Sequence, residues 1–346
     1  MNRTPAFSAP AFWFAPRPGL LALCLSPLGW LYGSICARRM ARPGAAVAVP
    51  VICIGNFTIG GSGKTPMAVH MAMLLQARGF RPFFLSRGYG GQAQLSPVAV
   101  DGLRHTARQV GDEPLLLAQT APVIVCADRL AGARAAMALG ADCLIMDDGL
   151  QNPALAKSLS LAMVDGATGF GNGLCLPAGP LRAALADQWP HVMAVVITGE
   201  GAPGQAAERL ALAAGRQVFR ASLVPDPVVA ASLLGRKCVA FSGIGRPEKF
   251  FATLEATGAR IAARHAFPDH YAYRPRDIGM LQAQALDLGA MLVTTQKDLA
   301  RTGPWPDAPA PIELPVRLVP EAGLDGLLAD ALAGFSASTG ALSRAN

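Results

Sequence analysis

The chain has 346 residues, 52% of them hydrophobic, which excludes a disordered chain and exceeds one ordinary core, so two folded units are expected. A formal charge of +7 and a pI near 9.3 call for an anionic partner, whether a phosphate ligand, a nucleic acid or an anionic membrane surface. The cysteines (Cys24, Cys36, Cys53, Cys126, Cys143, Cys175, Cys238) are odd in number and never spaced Cys-x-x-Cys, which excludes a zinc site or a disulfide framework and reads as small core residues in a reducing compartment.

In chain order, the basic charge comes first. Arg3, Arg17, Arg38, Arg39 and Arg42 have no Asp or Glu among them, a membrane-surface distribution more than an RNA-binding one, although an Arg-rich coding bias gives the same excess. Between Arg17 and Arg38 lies the charge-free run Gly19 to Ala37. As a helix it reaches about 28 Å, marginal for a hydrocarbon core of about 30 Å. Pro27 and Gly29 are expected to kink its middle, which favours a monotopic or re-entrant helix over a clean span. Trp13, Trp30 and Tyr32 suit the headgroup level. A cleaved signal peptide and a buried core helix are the competing readings.

Val47 to Gly55 is a β-branched apolar run, followed by Asn56-Phe-Thr-Ile-Gly-Gly-Ser-Gly-Lys-Thr-Pro66 and a helical pattern from Met67 to Ala77. Strand, glycine loop and helix in that order form a phosphate cradle. Across Thr58, Ile59, Gly60, Gly61, Ser62 and Gly63 the backbone amides can approach a polyphosphate. Lys64 reaches the terminal phosphates, and Thr65 can ligate Mg²⁺ at the positive end of the helix. Thr58 stands where the usual pattern has a glycine.

A strand over Arg81 to Ser86 leads into Arg87-Gly-Tyr89-Gly-Gly91. This is either a plain glycine turn or a loop whose Arg87 and Tyr89 face a phosphorylated sugar. Gly111-Asp112-Glu113-Pro114 opens a helical stretch, and helix capping alone accounts for acids there. Arg129 follows the strand Val123 to Ala127 and could add positive charge near a transferred phosphoryl or form an interhelix salt bridge. Cys143 to Met146 is a hydrophobic strand ending in Asp147-Asp148-Gly149, as a Walker B element should. Adjacent strand residues point to opposite faces, so one aspartate would touch the metal shell and the other would orient water or a neighbour. Arg182 lies in the proline-rigid loop Pro177-Ala-Gly-Pro-Leu-Arg182 and could grip a phosphate or simply face solvent.

The ordered set Thr58 to Pro66, Ser86 to Gly91, Gly111 to Pro114, Asp147-Asp-Gly-Leu-Gln-Asn152, Leu176 to Arg182 and Phe267-Pro-Asp-His-Tyr271 resembles the tetraacyldisaccharide 4′-kinase family across most of the chain. The resemblance implies an ATP-dependent, Mg²⁺-using kinase on the cytoplasmic face of the bacterial inner membrane. It would phosphorylate the 4′-hydroxyl of a membrane-embedded tetraacylated glucosamine disaccharide 1-phosphate to give lipid IVA, with neither nucleic acid nor an obligate protein partner. It further implies Asp112 as base with His270 as its partner and Lys64 beside them in catalysis. Thr65, Glu113, Asp147 and Asp148 would surround Mg²⁺, and Arg87, Tyr89, Gln151 and Arg182 would meet the lipid. Leu150, Asn152 and Ala183 depart from the family's usual phenylalanine, histidine and glutamate, which bears on the acceptor pocket and not on the nucleotide.

Beyond the polar stretch Gly199 to Gln217, strands at Val218 to Val224, Lys237 to Ser242 and Leu292 to Thr295 and a helix at Glu248 to Ala256 make the second half α/β as well. Thr294-Thr-Gln-Lys297-Asp298 lacks the spacing of a guanine-recognition motif. The expected architecture is a P-loop NTPase-like, doubly wound α/β sheet with a smaller α/β domain and an N-terminal membrane-associated helix. Its expected parts are residues 1–43 (membrane-associated segment), 44–220 (P-loop domain), 221–335 (second domain) and 336–346 (tail). The rival reading is a nucleotide-dependent metallochaperone or GTPase-type switch, which shares the GGSGKT loop.

Overall fold

The computed structural model describes residues 9–89, 91–92, 95–302, 305 and 310–344; Arg3, Gly90 and the last two residues of the expected tail lie outside them. A 3₁₀ turn at Ala11–Phe14 leads to α1 (Leu20–Met40), which continues through Pro27 without interruption. Proline has no N–H for the carbonyl of Leu23, and Ser26 Oγ donates to that oxygen instead at 2.7 Å. The buried positions of α1, Ala22, Gly29, Gly33 and Met40, share one face. A Cβ added at Gly29 would meet the Cys175 carbonyl oxygen at 2.7 Å, and one at Gly33 the Cys175 sulfur at 2.8 Å. Small residues therefore let the helix dock on the body of the protein, while Leu20, Leu23, Leu28, Trp30, Leu31 and Ile35 remain exposed. By length and composition α1 is apolar enough to cross a membrane. Trp13 is not at a headgroup position: it is buried, and its indole N–H donates to the Pro177 carbonyl at 3.0 Å.

The large sheet takes its strands from β1 (Val51–Asn56), β2 (Pro82–Ser86), β3 (Val98–Ala99), β4 (Val123–Val125), β5 (Cys143–Asp147), β6 (Leu159–Asp165), β7 (Ala194–Thr198) and β8 (Gln217–Pro225). The smaller sheet comprises β9 (Lys237–Ser242), β10 (Arg260–Ala266), β11 (Met291–Thr294) and β12 (Ile312–Glu313), and the chain then returns to the large sheet with β13 (Val316–Pro320). The large sheet runs β13-β8-β7-β6-β1-β5-β2-β4-β3, parallel except for its edges β3 and β13. The small sheet runs β10-β9-β11-β12 and is all parallel.

Strand β1 shows why the sheet is covered on both faces. All its positions are buried, and they alternate between two cores: Ile52 and Ile54 meet α2 (Lys64–Ala77), whereas Val51 and Cys53 join the cluster holding Ala133 and Ala136. The first face also receives α3 (Ala107–Val110) and α4 (Asp112–Leu117) through Val110 and Leu117. The opposite face receives α5 (Arg129–Ala138) and, beyond α6 (Leu185–Gln188), α7 (Ala202–Ala213) through Ala207 and Ala211. In the smaller unit α8 (Pro227–Leu233) and α9 (Pro247–Ala256) pack on one face through Leu233, Phe250 and Leu254. On the other face α10 (Pro275–Leu288) packs through Leu281 and Ala285. A short helix, α11 (Gln296–Thr302), follows β11.

Both units are thus doubly wound α/β layers, which was expected of the larger one, whereas the smaller was expected only to be α/β. The division at 220/221 falls inside β8, and β13 with α12 (Leu324–Arg344) rejoins the large unit, α12 packing Leu324, Leu328 and Leu332 into its core. The antiparallel pair β8/β13 is the two-strand connection between the units.

Candidate active site

The carboxyl ends of β2, β5 and β7 and the loop that follows β1 meet a cleft of about 2490 Å³ between the two units. This is where an open, doubly wound sheet binds ligands, because connections leave its central strands in opposite directions. The glycine loop emerges from β1. Gly60 and Gly63 take φ of 127° and 87°, and Thr58 keeps an ordinary φ, so the missing glycine is not needed there. The loop is held by hydrogen bonds from Asn56 Nδ2 to the Gly60 carbonyl (3.2 Å), from Ile59 N to Pro180 O (2.9 Å) and from Thr198 Oγ1 to Ser62 O (3.3 Å). Helix α2 begins at Lys64, earlier than the apolar pattern indicates, so Lys64 and Thr65 occupy its first turn. Gly61, Gly63, Lys64 and Thr65 all line the cleft.

Strand β5 ends at Asp147, and Asp148 turns away with a φ of 50°. The alternation rule for strand neighbours therefore does not govern this pair, and both carboxylates border the cleft. Asp148 sits between two cations, Lys64 Nζ at 3.7 Å and Arg182 Nη2 at 2.9 Å. Burial alone would raise its pKa, but these cations bring it down to about 2. Asp147 has the opposite balance: burial, then Glu113 and Asp148, push it up to about 7, and its Oδ1 is buried without a hydrogen-bond partner.

Beside α2 on the same face of the large sheet, Asp112 and Glu113 form the first turn of α4, after Gly111 with φ of 92°. A Cβ at Gly111 would lie 2.7 Å from the Tyr89 carbonyl oxygen, so glycine is what lets the two loops approach. His270 Nδ1 lies 3.4 Å from Asp112 Oδ2, and the Tyr89 and His270 rings meet edge-on at 5.7 Å. Burial would push Asp112 up, yet His270, Arg301 and Lys297 hold its carboxyl far below the usual range. The same contact, with Asp112, raises the pKa of His270. His270 and Asp148 are the two non-glycine residues with positive φ among the described residues. Backbone of that kind is unfavourable and persists where surroundings over-determine it.

The fold thus gathers Lys64, Thr65, Glu113, Asp147, Asp148, Arg87, Tyr89, Gln151, Arg182, Arg129 and His270 around one cleft, with Asp112 held against His270. Gln151 is less free than expected of a lipid contact. Its Nε2 donates to Asn56 O (2.8 Å) and to Gln188 Oε1 (2.9 Å), and its Oε1 accepts from Arg182 Nη1 at 3.1 Å. Arg129 is buried and donates Nη1 to the Cys126 carbonyl at 2.8 Å. Of the departures from the family pattern, Leu150 and Ala183 are buried in the protein and only Asn152 borders the cleft.

Sequence reasoning passed over the fully buried Gln188, which orients Gln151, and over Arg301, which reaches Asp112 from α11. For Arg301 a signal exists in the placement of Lys297 and Arg301 four residues apart after the Thr294-Thr-Gln motif. Gln188 has none.

Residues 21–333 match the family described as Tetraacyldisaccharide-1-P 4′-kinase. The chain belongs to this family. It is 56% identical over 292 residues to the tetraacyldisaccharide 4′-kinase of Methylorubrum extorquens (strain PA1), covering 84% of this chain and 88% of that protein. It is 48% identical over 340 residues to the tetraacyldisaccharide 4′-kinase of Xanthobacter autotrophicus, covering 95% and 98%. Among solved structures, the "apo" form of LpxK from Aquifex aeolicus in complex with ATP superposes with a TM-score of 0.71 at 26% identity, covering 90% of this chain and all of that one. Membership in the tetraacyldisaccharide 4′-kinase family removes the support for a metallochaperone or GTPase-type switch.

Proposed function

We infer that this protein transfers the γ-phosphoryl group of ATP to the 4′-hydroxyl of a tetraacylated glucosamine disaccharide 1-phosphate, giving lipid IVA. The observation that carries the reading is the convergence at one cleft of a phosphate cradle and a carboxylate–histidine pair that joins the two units. The acceptor proton passes to Asp112 as its oxygen attacks the γ-phosphorus, and the bond to the β-phosphate breaks to leave ADP. Such transition states are loose, so positioning and charge neutralisation matter more than strong basicity. Asp112 can therefore serve although its pKa is low, with His270 fixing its orientation. Lys64, at the head of α2, neutralises charge growing on the bridging and terminal phosphates.

The residues fit Mg²⁺. Among the described residues no three His, Cys, Asp or Glu side chains converge as a ready-made cage, and Mg²⁺ in kinases needs only one or two carboxylates besides the nucleotide's phosphates. Asp147 and Thr65 would hold it, with Glu113 close by; the Oδ1 atoms of Asp147 and Asp148 are both buried without a hydrogen-bond partner, but Asp148 is already paired with Lys64 and Arg182. When bound, the ion neutralises phosphate charge. Arg87, Tyr89 and Arg182 would contact the lipid headgroup, Arg182 being steadied by Gln151, and Arg129 would add positive charge behind the aspartates.

The apolar outer face of α1 and its flanking arginines would set the enzyme on the anionic cytoplasmic face of the inner membrane, with the smaller unit, from the end of β8 to β12, closing over the nucleotide. Lys64→Ala is expected to lower turnover at saturating ATP at least about a hundredfold, and His270→Ala by about a hundredfold, with unchanged melting curves. A folded Lys64→Ala enzyme with near-normal turnover would remove the P-loop from the mechanism, and an active His270→Ala would reduce that histidine to a structural residue.

A further inference from the structure

The Thr294-Thr-Gln-Lys297-Asp298 motif has no part in the mechanism so far, yet it builds a densely hydrogen-bonded polar cluster beside the cleft. Asp298 is fully buried and is met by five donors: Ser242 Oγ (2.9 Å), Gly243 N (2.9 Å), Tyr273 Oη (2.9 Å), Thr295 Oγ1 (2.7 Å) and Arg301 Nη1 (3.3 Å). A buried carboxylate is tolerated only when satisfied in this way, and a fully satisfied network is rigid. Thr295 Oγ1 also accepts from Asp298 N at 3.2 Å, which fixes the start of α11.

From that anchored helix Lys297 and Arg301, one turn apart, project to the neighbouring acids of α4. Lys297 Nζ lies 2.5 Å from Glu113 Oε1. Arg301 donates Nε to Asp112 Oδ2 at 2.8 Å and pairs Nη2 with the same oxygen. Its Nη1 donates to the Gly243 carbonyl at 2.7 Å, an oxygen that also accepts from His270 N at 3.1 Å, and Nη2 lies 3.3 Å from His270 Nδ1. The guanidinium is thus held at each nitrogen and is almost inaccessible, at 7% exposure. The described bonds to the Asp112 side chain all converge on Oδ2, which leaves Oδ1 for the acceptor.

We propose that α11 is a two-point clamp in which Arg301 is a positioning residue, fixing Asp112 through Oδ2 so that Oδ1 faces the acceptor hydroxyl, while Lys297 sets the register by holding Glu113. The clamp rests on Asp112 being the base, as inferred above. Because α11 belongs to the smaller unit and α4 to the larger one, the base is oriented only when the two units meet. A lysine could supply the charge of Arg301 but not its planar fork, so charge and geometry are separable by substitution.

The test is steady-state lipid phosphorylation by Arg301→Ala, Arg301→Lys, Asp112→Asn and the Asp112→Asn/Arg301→Ala double variant, each with a melting curve. Arg301→Ala is expected to lower kcat about a hundredfold with both KM values changed less than about threefold, and Arg301→Lys to recover part of the loss. The double variant is expected to be no worse than Asp112→Asn, since residues that act as a unit lose their effects non-additively. If Arg301→Ala does not fold, Arg301→Lys carries the test, with reduced kcat and unchanged KM values expected. Raised KM values at unchanged kcat would mean a mere docking contact and overturn the proposal, as would fully multiplicative losses. An inactive Asp112→Asn beside a fully active Arg301→Ala overturns the clamp alone, whereas an active Asp112→Asn overturns the base assignment and the clamp together.

Discussion

Asp147 and Asp148 are adjacent in the chain and opposite in electrostatic character, and the difference comes from their surroundings. Asp148, turned out of the strand, meets Lys64 and Arg182 and stays ionised, whereas Asp147, buried at the end of β5 near Glu113, resists ionisation up to about 7. An unfolded aspartate titrates near 3.9. Between about pH 4 and pH 7 the folded protein therefore binds a proton at Asp147 that the unfolded chain has lost, and stability falls as pH rises through that window. Asp112 and Asp148, both shifted down, titrate below it. The expected result for nucleotide-free protein is that Asp147→Asn flattens the decline in Tm between pH 5 and pH 8 and raises Tm at pH 8, while abolishing turnover. Melting curves at the two pH values check this, and an unchanged pH slope in the variant would contradict the assignment.

At the scale of elements, what was legible in the sequence was local. The GGSGKT loop between strand and helix, the apolar strand before Asp147 and the charge-free N-terminal run each carry their chemistry within a short window. Partners far apart in the chain were not legible: Arg301 reaches Asp112 across 189 residues, and the cap that carries Lys297 and Arg301 reads locally as an imperfect guanine motif. Trp13 was misjudged for the same reason, since its partner Pro177 lies 164 residues away. Helix α1 shows both sides of this limit. Its apolar character was plain, but only the contacts of Gly29 and Gly33 with Cys175 reveal which face docks on the protein. Replacing Trp30, Leu31 and Ile35 by serine, all on exposed positions, is therefore expected to move the protein from the membrane fraction toward the soluble one at nearly unchanged Tm. Equal sedimentation of variant and parent with membranes would assign the anchor to another surface.

In the molecule as a whole, two doubly wound units connected through β8 and β13 build the cleft and the ion pairs that border it. The first unit contributes Lys64, Thr65, the aspartates that end β5 and the acids of α4; the second contributes His270 and Arg301. Chain order alone hid this arrangement, because the second unit is an excursion between two antiparallel strands of the large sheet, and no composition shift marks the return through Val316–Pro320 and Leu324–Arg344. The cleft between the units is expected to move a phosphoryl group from ATP to a lipid hydroxyl. The direct measurement is incubation of the purified protein in detergent with γ-labelled ATP, Mg²⁺ and the tetraacylated disaccharide 1-phosphate, followed by location of the label. Label on the 4′-oxygen of the lipid, lost with Lys64→Ala, is the predicted result; ATP hydrolysed with label only in free phosphate and none in the lipid would contradict it.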